Sequence, residues 1–242
     1  APAMAVWARN ALPIPFTGAY LLIGLLAGVA LLLLWRLPAG STSIPSSSGF
    51  ALTRDLLARP IIRAAMLTTA IGHGLMILVM NATPLAMSFC GLSLETSAEV
   101  IRWHMLGMFL PAFVAGPLVD RLGPTKMAVC GCLLLCLSAG VALSGLQQAF
   151  FLLSSFLLGF GWNLLMVAGS TLLAQGHTAN ERGQAQGLME LGNGVVATGA
   201  AFASGALIST MGWSALNIAM LPLLLLALLK LPLRRSQGGL SS

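Results

Sequence analysis

The segment Gly116-Pro-Leu-Val-Asp-Arg-Leu-Gly-Pro-Thr-Lys126 is a short charged turn between two long apolar runs of the chain. Glycine adopts positive φ angles and lets neighbouring helices approach closely. The Asp can pair with a cation or lie at a helix end, and Arg and Lys are typical of loops on one side of a membrane. The pattern therefore predicts a short loop that joins two adjacent membrane helices.

The composition supports a membrane location for the whole chain. The 242 residues are 57% hydrophobic and 7% charged, with a mean hydropathy of +0.93, whereas a soluble domain carries about 25% charged residues. The apolar runs are continuous rather than alternating, which indicates helices and not a β-barrel. We expect an all-α integral membrane protein, a polytopic helical bundle in a lipid bilayer. The net charge of +6 is interpreted as a mark of cytoplasmic helix ends, and nucleic acid is not an expected partner.

About seven segments are long enough to cross a membrane at about 1.5 Å per residue. We expect a short outer segment and first span over residues 1–36, a cytoplasmic linker over 37–59, a six-helix membrane bundle over 60–235 and a cytoplasmic tail over 236–242. The chain begins without a signal peptide, so it looks like a start inside a longer polypeptide or a truncated gene. The predicted spans are 14–36, 61–83, 98–119, 126–146, 149–174, 184–208 and 213–233.

The basic residues predict the orientation. If the first span runs from outside to inside, only Arg9 and Arg102 lie outside. Because loops rich in Lys and Arg stay in the cytoplasm, the linker, the charged turn and the C-terminus are expected there. The ten basic residues on the inner side are Arg36, Arg54, Arg59, Arg63, Arg121, Lys126, Arg182, Lys230, Arg234 and Arg235.

The charged turn resembles the cytoplasmic loop signature of the major facilitator superfamily, in which Gly, Asp-Arg, Gly and basic residues join two membrane helices. The usual basic pair is replaced by Pro124 and Thr125, and Lys126 follows. One span, a long linker and then six spans fit helices six to twelve of that family. The resemblance thus implies a C-terminal portion that lacks the first five helices, which would be its partner. The matching residues are Gly116, Asp120, Arg121 and Gly123.

Polar side chains inside the predicted spans are the candidates for a substrate or proton pathway, since such groups are costly in a bilayer and tend to face a cavity or another helix. Glu190 lies roughly 9–13 Å into the sixth span. A carboxylate there is protonated or paired, which suits proton coupling, and a purely structural hydrogen bond is the alternative. The seven candidates are His73, Asn81, Arg102, His104, Asn163, Glu190 and Asn193.

The other candidates carry alternatives too. His73 can titrate near neutral pH, so a relay with Glu190 is one interpretation and a packed histidine is the other. Asn163 and Asn193 can bind a polar substrate, or they can join helices by hydrogen bonds. Arg102 is expected to extend to the outer interface.

An enzyme is not expected. The sequence contains no HExxH, GxSxG or GxxxxGK[ST] motif, and Cys130 and Cys132 lie on opposite faces of a helix, so neither a metal nor a cofactor is predicted.

The resemblance implies secondary active transport of a small molecule by alternating access, with protons as the simplest coupling ion and with a bacterial inner membrane as the location. An apolar cavity favours a lipophilic or weakly cationic substrate, so efflux is preferred over import. The alternative is a non-transporting half-protein or remnant that needs a partner half.

Overall fold

The structure, a computed structural model, describes residues 17–36 and 49–231. The regular structure in these ranges is helical. The chain divides into two units, Ala1–Ser46 and Ser47–Ser242. In the first unit, helix α1 covers Thr17–Trp35. Parts of several predictions lie outside the described residues: the outer segment, most of the linker, the tail, and Arg9, Arg234 and Arg235.

The second unit is a bundle of helices joined by short turns. A 3₁₀ turn, Ala179–Glu181, precedes α8. The helices are α2 (Gly49–Ala58), α3 (Pro60–Phe89), α4 (Leu94–Phe109), α5 (Ala112–Leu122), α6 (Pro124–Leu143), α7 (Gln148–Gly176), α8 (Arg182–Thr210), α9 (Gly212–Ile218) and α10 (Met220–Lys230).

Within the described ranges, six helical segments are long and apolar enough to cross a membrane. They are α3, α4 with α5, α6, α7, the 3₁₀ turn with α8, and α9 with α10. These six correspond to the predicted spans from 61–83 onward, which confirms the polytopic helical bundle. The first predicted span, 14–36, corresponds to α1, an apolar helix that is shorter over its described side chains, Tyr20–Trp35.

The helix ends follow local chemistry. Pro60 and Pro124 occupy the first turns of α3 and α6, where their missing N–H groups cost nothing. The Ser93 side chain caps α4 by accepting from the N–H of Thr96 at 3.2 Å. At Leu110 and Pro111 the second membrane segment breaks into α4 and α5, since proline cannot donate to the preceding turn.

Helix α7 is the centre of the bundle and packs along α3, α4 and α6. Its glycines allow the close approach. A Cβ on Gly159 would lie 2.5 Å from the carbonyl oxygen of His104 in α4, and one on Gly161 would lie 2.9 Å from the carbonyl oxygen of Gly131 in α6. On the third side, a Cβ on Gly169 would lie 2.3 Å from a methyl carbon of Thr69 in α3. In a bilayer, where such close packing holds helices together, these glycines determine the arrangement around α7.

Helix α8 is attached mainly to α3 and has little contact with α7. Only 17% of its most apolar stretch is buried, compared with 61% for α3. A large part of the α8 surface therefore lies outside the packed interior of the described residues.

We expect Gly159→Ala to destabilise the bundle, because the added methyl group meets backbone atoms of α4 that cannot rotate away. The cost of overpacking a tight contact is about 1–3 kcal/mol, which thermal unfolding in detergent would detect as a lower midpoint. Gly199→Ala is the matched control, since no atom lies within 4 Å of its added carbon. Equal midpoints for the two variants would contradict the close packing of α4 and α7.

Candidate functional site

A tryptophan and a histidine from two neighbouring helices are joined near the middle of the bundle. The indole Nε1 of Trp162 in α7 donates to Nδ1 of His73 in α3 at 3.2 Å. The ring centroids are 6.1 Å apart and the ring planes are tilted by 42°. Both side chains are partly buried. The two residues are 89 positions apart in the chain, which explains why the sequence named His73 as a candidate but did not pair it with Trp162.

Glu190 lies on α8, the helix that packs along α3. Its carboxylate interacts electrostatically with His73, and its side chain is exposed. The structure therefore joins His73 to Trp162 by a hydrogen bond and places the charge of Glu190 within electrostatic reach of His73, with no ion pair between them among the described residues.

Glu190 belongs to an exposed row of small and polar residues along α8. Residues at intervals of four lie on the same side of a helix. Gln186, Glu190, Gly194 and Thr198 follow this interval, and each is exposed. A surface that faces lipid is normally apolar, and an intramembrane carboxylate normally faces water or protein. We call these four residues the polar row of α8.

Two other candidates lie between α4 and α7. The Asn163 amide donates to the carbonyl oxygen of Met108 at 2.8 Å, close to the break at Pro111. His104 is 4% exposed, and its Nδ1 lies 2.9 Å from the carbonyl oxygen of Ser155. Asn163 Oδ1 and His104 Nε2 are buried without a partner in the described residues. The observed contacts of both side chains join helices.

The remaining candidates are dispersed. Asn193 is 4% exposed, and neither atom of its amide has a partner within residues 17–36 and 49–231. Asn81 is exposed. Arg102 is exposed, and its Nε donates to the carbonyl oxygen of Ala98 on its own helix at 3.3 Å. No contact that the structure shows joins these three residues to the His73–Trp162 pair.

The predicted signature loop is the turn between α5 and α6. Gly123 has φ of 81°, a conformation that favours glycine. Asp120, Arg121 and Lys126 are exposed, and none of them forms an ion pair within the described part of the chain. A Cβ on Gly116 would meet open space, so the close approach expected at that glycine does not occur among these residues.

Sequence analysis missed a charged cluster at the same end of the bundle. Arg59, just before α3, donates to both carboxylate oxygens of Glu181, at 2.9 and 2.8 Å, and to the carbonyl oxygen of Gly176 at 2.9 Å. Arg59 also pairs with Asp55 of α2. The hydrogen bond to Glu181, and to a smaller extent the one to Asp55, raises the pKa of the Arg59 guanidinium above its ordinary value. Arg59 therefore stays charged.

Glu181 has a second role in this cluster. Its carboxylate accepts from the backbone N–H of Thr178 at 2.8 Å, and the two residues form a capping box. Thr178 is thus the capping residue ahead of α8. In the first turn of α8, Gln184 donates to the hydroxyl of Thr53 in α2 at 2.6 Å and to the carbonyl oxygen of Gly49. We call Arg59, Glu181 and Gln184 the α2–α8 clamp.

No group of three or more His, Cys, Asp or Glu side chains within the described ranges is arranged to hold a metal ion. Cys130 is exposed and Cys132 is buried, which agrees with their predicted positions on different faces of α6.

We expect Arg59→Gln and Glu181→Gln each to lower the midpoint of thermal unfolding, because each removes the two hydrogen bonds between the residue before α3 and the 3₁₀ turn before α8. The double variant should lose little more than either single variant, since both remove the same interaction. Arg54→Gln is the matched control, an exposed arginine on α2. Additive losses in the double variant would show that Arg59 and Glu181 act independently.

Comparison with known proteins agrees with this architecture. The family model described as Major Facilitator Superfamily matches residues 69–241. The riboflavin transporter RfnT of Brucella anthropi is 32% identical over 98% of this chain and 61% of its own length. Two uncharacterized MFS-type transporters of Bacillus subtilis also match: YdeG at 34% identity over 48% of this chain and 27% of its own length, and YddS at 29% over 67% and 38%. The chain thus spans about three fifths of RfnT and less of the other two. The family model matches most of the chain, and the described residues contain the membrane-length helices of a transporter. The chain therefore belongs to the Major Facilitator Superfamily, a family of transporters rather than enzymes.

Proposed function

We propose that this chain forms the C-terminal part of a secondary active carrier that moves a small molecule by alternating access. The observation that carries the proposal is the polar row of α8 beside the His73–Trp162 pair. A helix that served only to anchor the protein would present apolar side chains to lipid. The exposed Gln186, Glu190 and Thr198 instead suit a water-accessible pathway.

Proton coupling is the proposed energy source. Glu190 is an exposed carboxylate on a membrane helix and interacts with His73, and both groups can exchange protons. A carboxylate that binds a proton on one side of the membrane and releases it on the other supplies the required coupling. Asn163, His104 and Asn193 are proposed to support the helices around this pathway, since all three are buried. Asn81 and Arg102 remain candidates for its outer end.

The missing helices are the proposed partner. The chain covers 61% of the length of RfnT, and the polar row of α8 needs an opposite wall to enclose a substrate. The signature loop is proposed to lie in the cytoplasm, together with the C-terminus. Asp120, Arg121 and Lys126 form no ion pair with the described residues, and they are proposed to form charge-assisted bonds with the other half in one state of the cycle.

The proposed substrate is a planar nitrogen heterocycle, with riboflavin as the first compound to test. RfnT is named as a riboflavin transporter. Trp162 and His73 are partly buried aromatic rings, and the Glu190 carboxylate acts electrostatically on His73, which suits an aromatic ligand with polar substituents. The direction of transport is proposed to be export, and the bacterial inner membrane is the proposed location.

A non-transporting half-protein is the second candidate. This candidate is favoured by the share of RfnT that the chain matches, 61% of its length. A chain that corresponds to part of a carrier would form only one wall of the pathway. Such a chain would insert in the membrane and require a separate partner half.

We expect Glu190→Gln to reduce riboflavin transport by roughly tenfold or more, within the range of coupling between two linked sites. The amide resembles the protonated carboxyl group but cannot release a proton. Cells that express the longest reading frame containing these residues would be assayed in both directions, by uptake of labelled riboflavin and by its loss from loaded cells. Exchange of riboflavin across the membrane should survive, because it needs no net proton movement.

Glu95→Gln is the matched control, since Glu95 is an exposed carboxylate in the first turn of α4. Equal activities for the two variants would contradict the role of Glu190. Transport by the 242-residue chain alone would contradict the need for a partner half. Membrane insertion without riboflavin transport by the long reading frame would contradict the proposed substrate.

A further inference from the structure

The bond between Trp162 and His73 restricts the protonation state of the histidine. An indole Nε1–H is a donor only, so the atom that receives it must carry a lone pair. That atom is His73 Nδ1. The imidazole proton must therefore be on Nε2, and the ring must be neutral. A charged imidazolium has a proton on both nitrogens and cannot accept this bond.

We propose that Trp162 is a positioning residue that holds His73 in the neutral Nε2–H form, and that protonation of His73 breaks its bond to α7 and transfers its attraction to Glu190 on α8. This step rests on the proposed carrier function and identifies its proton-sensitive contact. The proton enters at Nδ1, and the indole N–H is released to another acceptor or to water. No other bond is made or broken.

The surroundings of His73 suit this role. α7 carries no Asp, Glu, Lys, Arg or His, so its contribution is the indole N–H. α8 contributes Glu190, whose carboxylate acts on His73, and Arg182 lies at its first residue, at the clamp end. α3 itself carries Arg63 in its first turn. The charged or titratable residues of the other packed elements are Arg54 and Asp55 on α2, Glu95, Glu99, Arg102 and His104 on α4, and Lys230 on α10.

The consequence is a change in helix attachment. α3 packs against both α7 and α8, which have little contact with each other. Neutral His73 bonds to α7, and charged His73 is attracted to the carboxylate on α8. One proton therefore breaks the hydrogen bond on the α7 side of α3 and strengthens an electrostatic attraction on the α8 side. A two-state helix contact of this kind is what a conformational cycle requires.

The first experiment reads the tautomer directly in the unmodified protein. The longest reading frame containing these residues would be labelled with ¹⁵N in its histidine and tryptophan rings and placed in lipid nanodiscs. His73→Gln identifies the His73 signals by difference, and Trp162→Phe identifies the Trp162 signal. At pH 8 we expect a proton on Nε2 and a bare Nδ1, and on acidification we expect the Trp162 indole signal to shift together with the charging of His73. A proton on His73 Nδ1 at pH 8 would overturn the proposal. A Trp162 indole signal that does not shift when His73 becomes protonated would also overturn it.

The second experiment removes the donor and keeps an aromatic ring. In Trp162→Phe we expect His73 to populate both neutral tautomers and to become protonated at higher pH than in the unmodified protein. The reason is that the hydrogen bond that selects its neutral Nε2–H form is lost. Trp103→Phe is the matched control, since Trp103 packs edge-on against Phe156 and is 45% exposed. A folded Trp162→Phe protein with an unchanged tautomer and midpoint would overturn the proposal. If that variant does not fold, the tautomer in the unmodified protein still decides, with the His73 signals assigned through His73→Gln.

These signals do not depend on transport. If the protein fails to move riboflavin but shows the expected tautomer and indole shift, the proposed function fails and the contact stands. If transport occurs with His73 in the other tautomer, the carrier stands and the role of Trp162 is wrong.

Discussion

The backbone approach of α7 to its three neighbours is the constraint from which the rest of the bundle follows. At Gly159 and Gly161 the space for a side chain is taken by backbone oxygens of α4 and α6. Lipid tails are as apolar as leucine, so helices gain little from burying apolar area and depend on such close packing. Because α7 is held on three sides, the two residues that follow Gly161, Trp162 and Asn163, are held in place as well. Asn163 thereby reaches the carbonyl oxygen of Met108 beside the helix break.

Helix α8 is packed differently. Three of its glycines, Gly194, Gly199 and Gly205, have no neighbouring atom within 4 Å of an added side chain, so they do not pack here as the glycines of α7 do. The helix is attached to α3 along one side and to the α2–α8 clamp at its start. Glu190 is exposed on a helix that has few other contacts among the described residues, which suits the proposed meeting with a second half and a substrate.

Local features of this fold could be predicted from the sequence, and contacts between distant residues could not. The spans follow from the apolar runs of the sequence. The helix break at Pro111 and the cap at Thr178 depend on interactions within a single helical turn. The family followed from one turn of fixed spacing. In contrast, the bond between His73 and Trp162 spans 89 residues and that between Arg59 and Glu181 spans 122. Such pairs depend on how helices rotate and cross, and single polar residues do not reveal that.

In the proposed cycle, the α2–α8 clamp and the attraction between His73 and Glu190 respond differently to protons, and this difference would determine how α8 moves. Hydrogen bonds to Glu181 and Asp55 raise the pKa of Arg59, so the clamp is proposed to persist while the attraction between His73 and Glu190 changes. His73 lies 14 residues after Arg59 in the chain, which is about 20 Å along a helix. A tilt of about 5° around the clamp then moves the middle of α8 by roughly 2 Å, the size of helix shifts that accompany switching in other proteins. A fixed end and a proton-sensitive middle together favour rocking of α8 over sliding, because sliding would break the two bonds between Arg59 and Glu181.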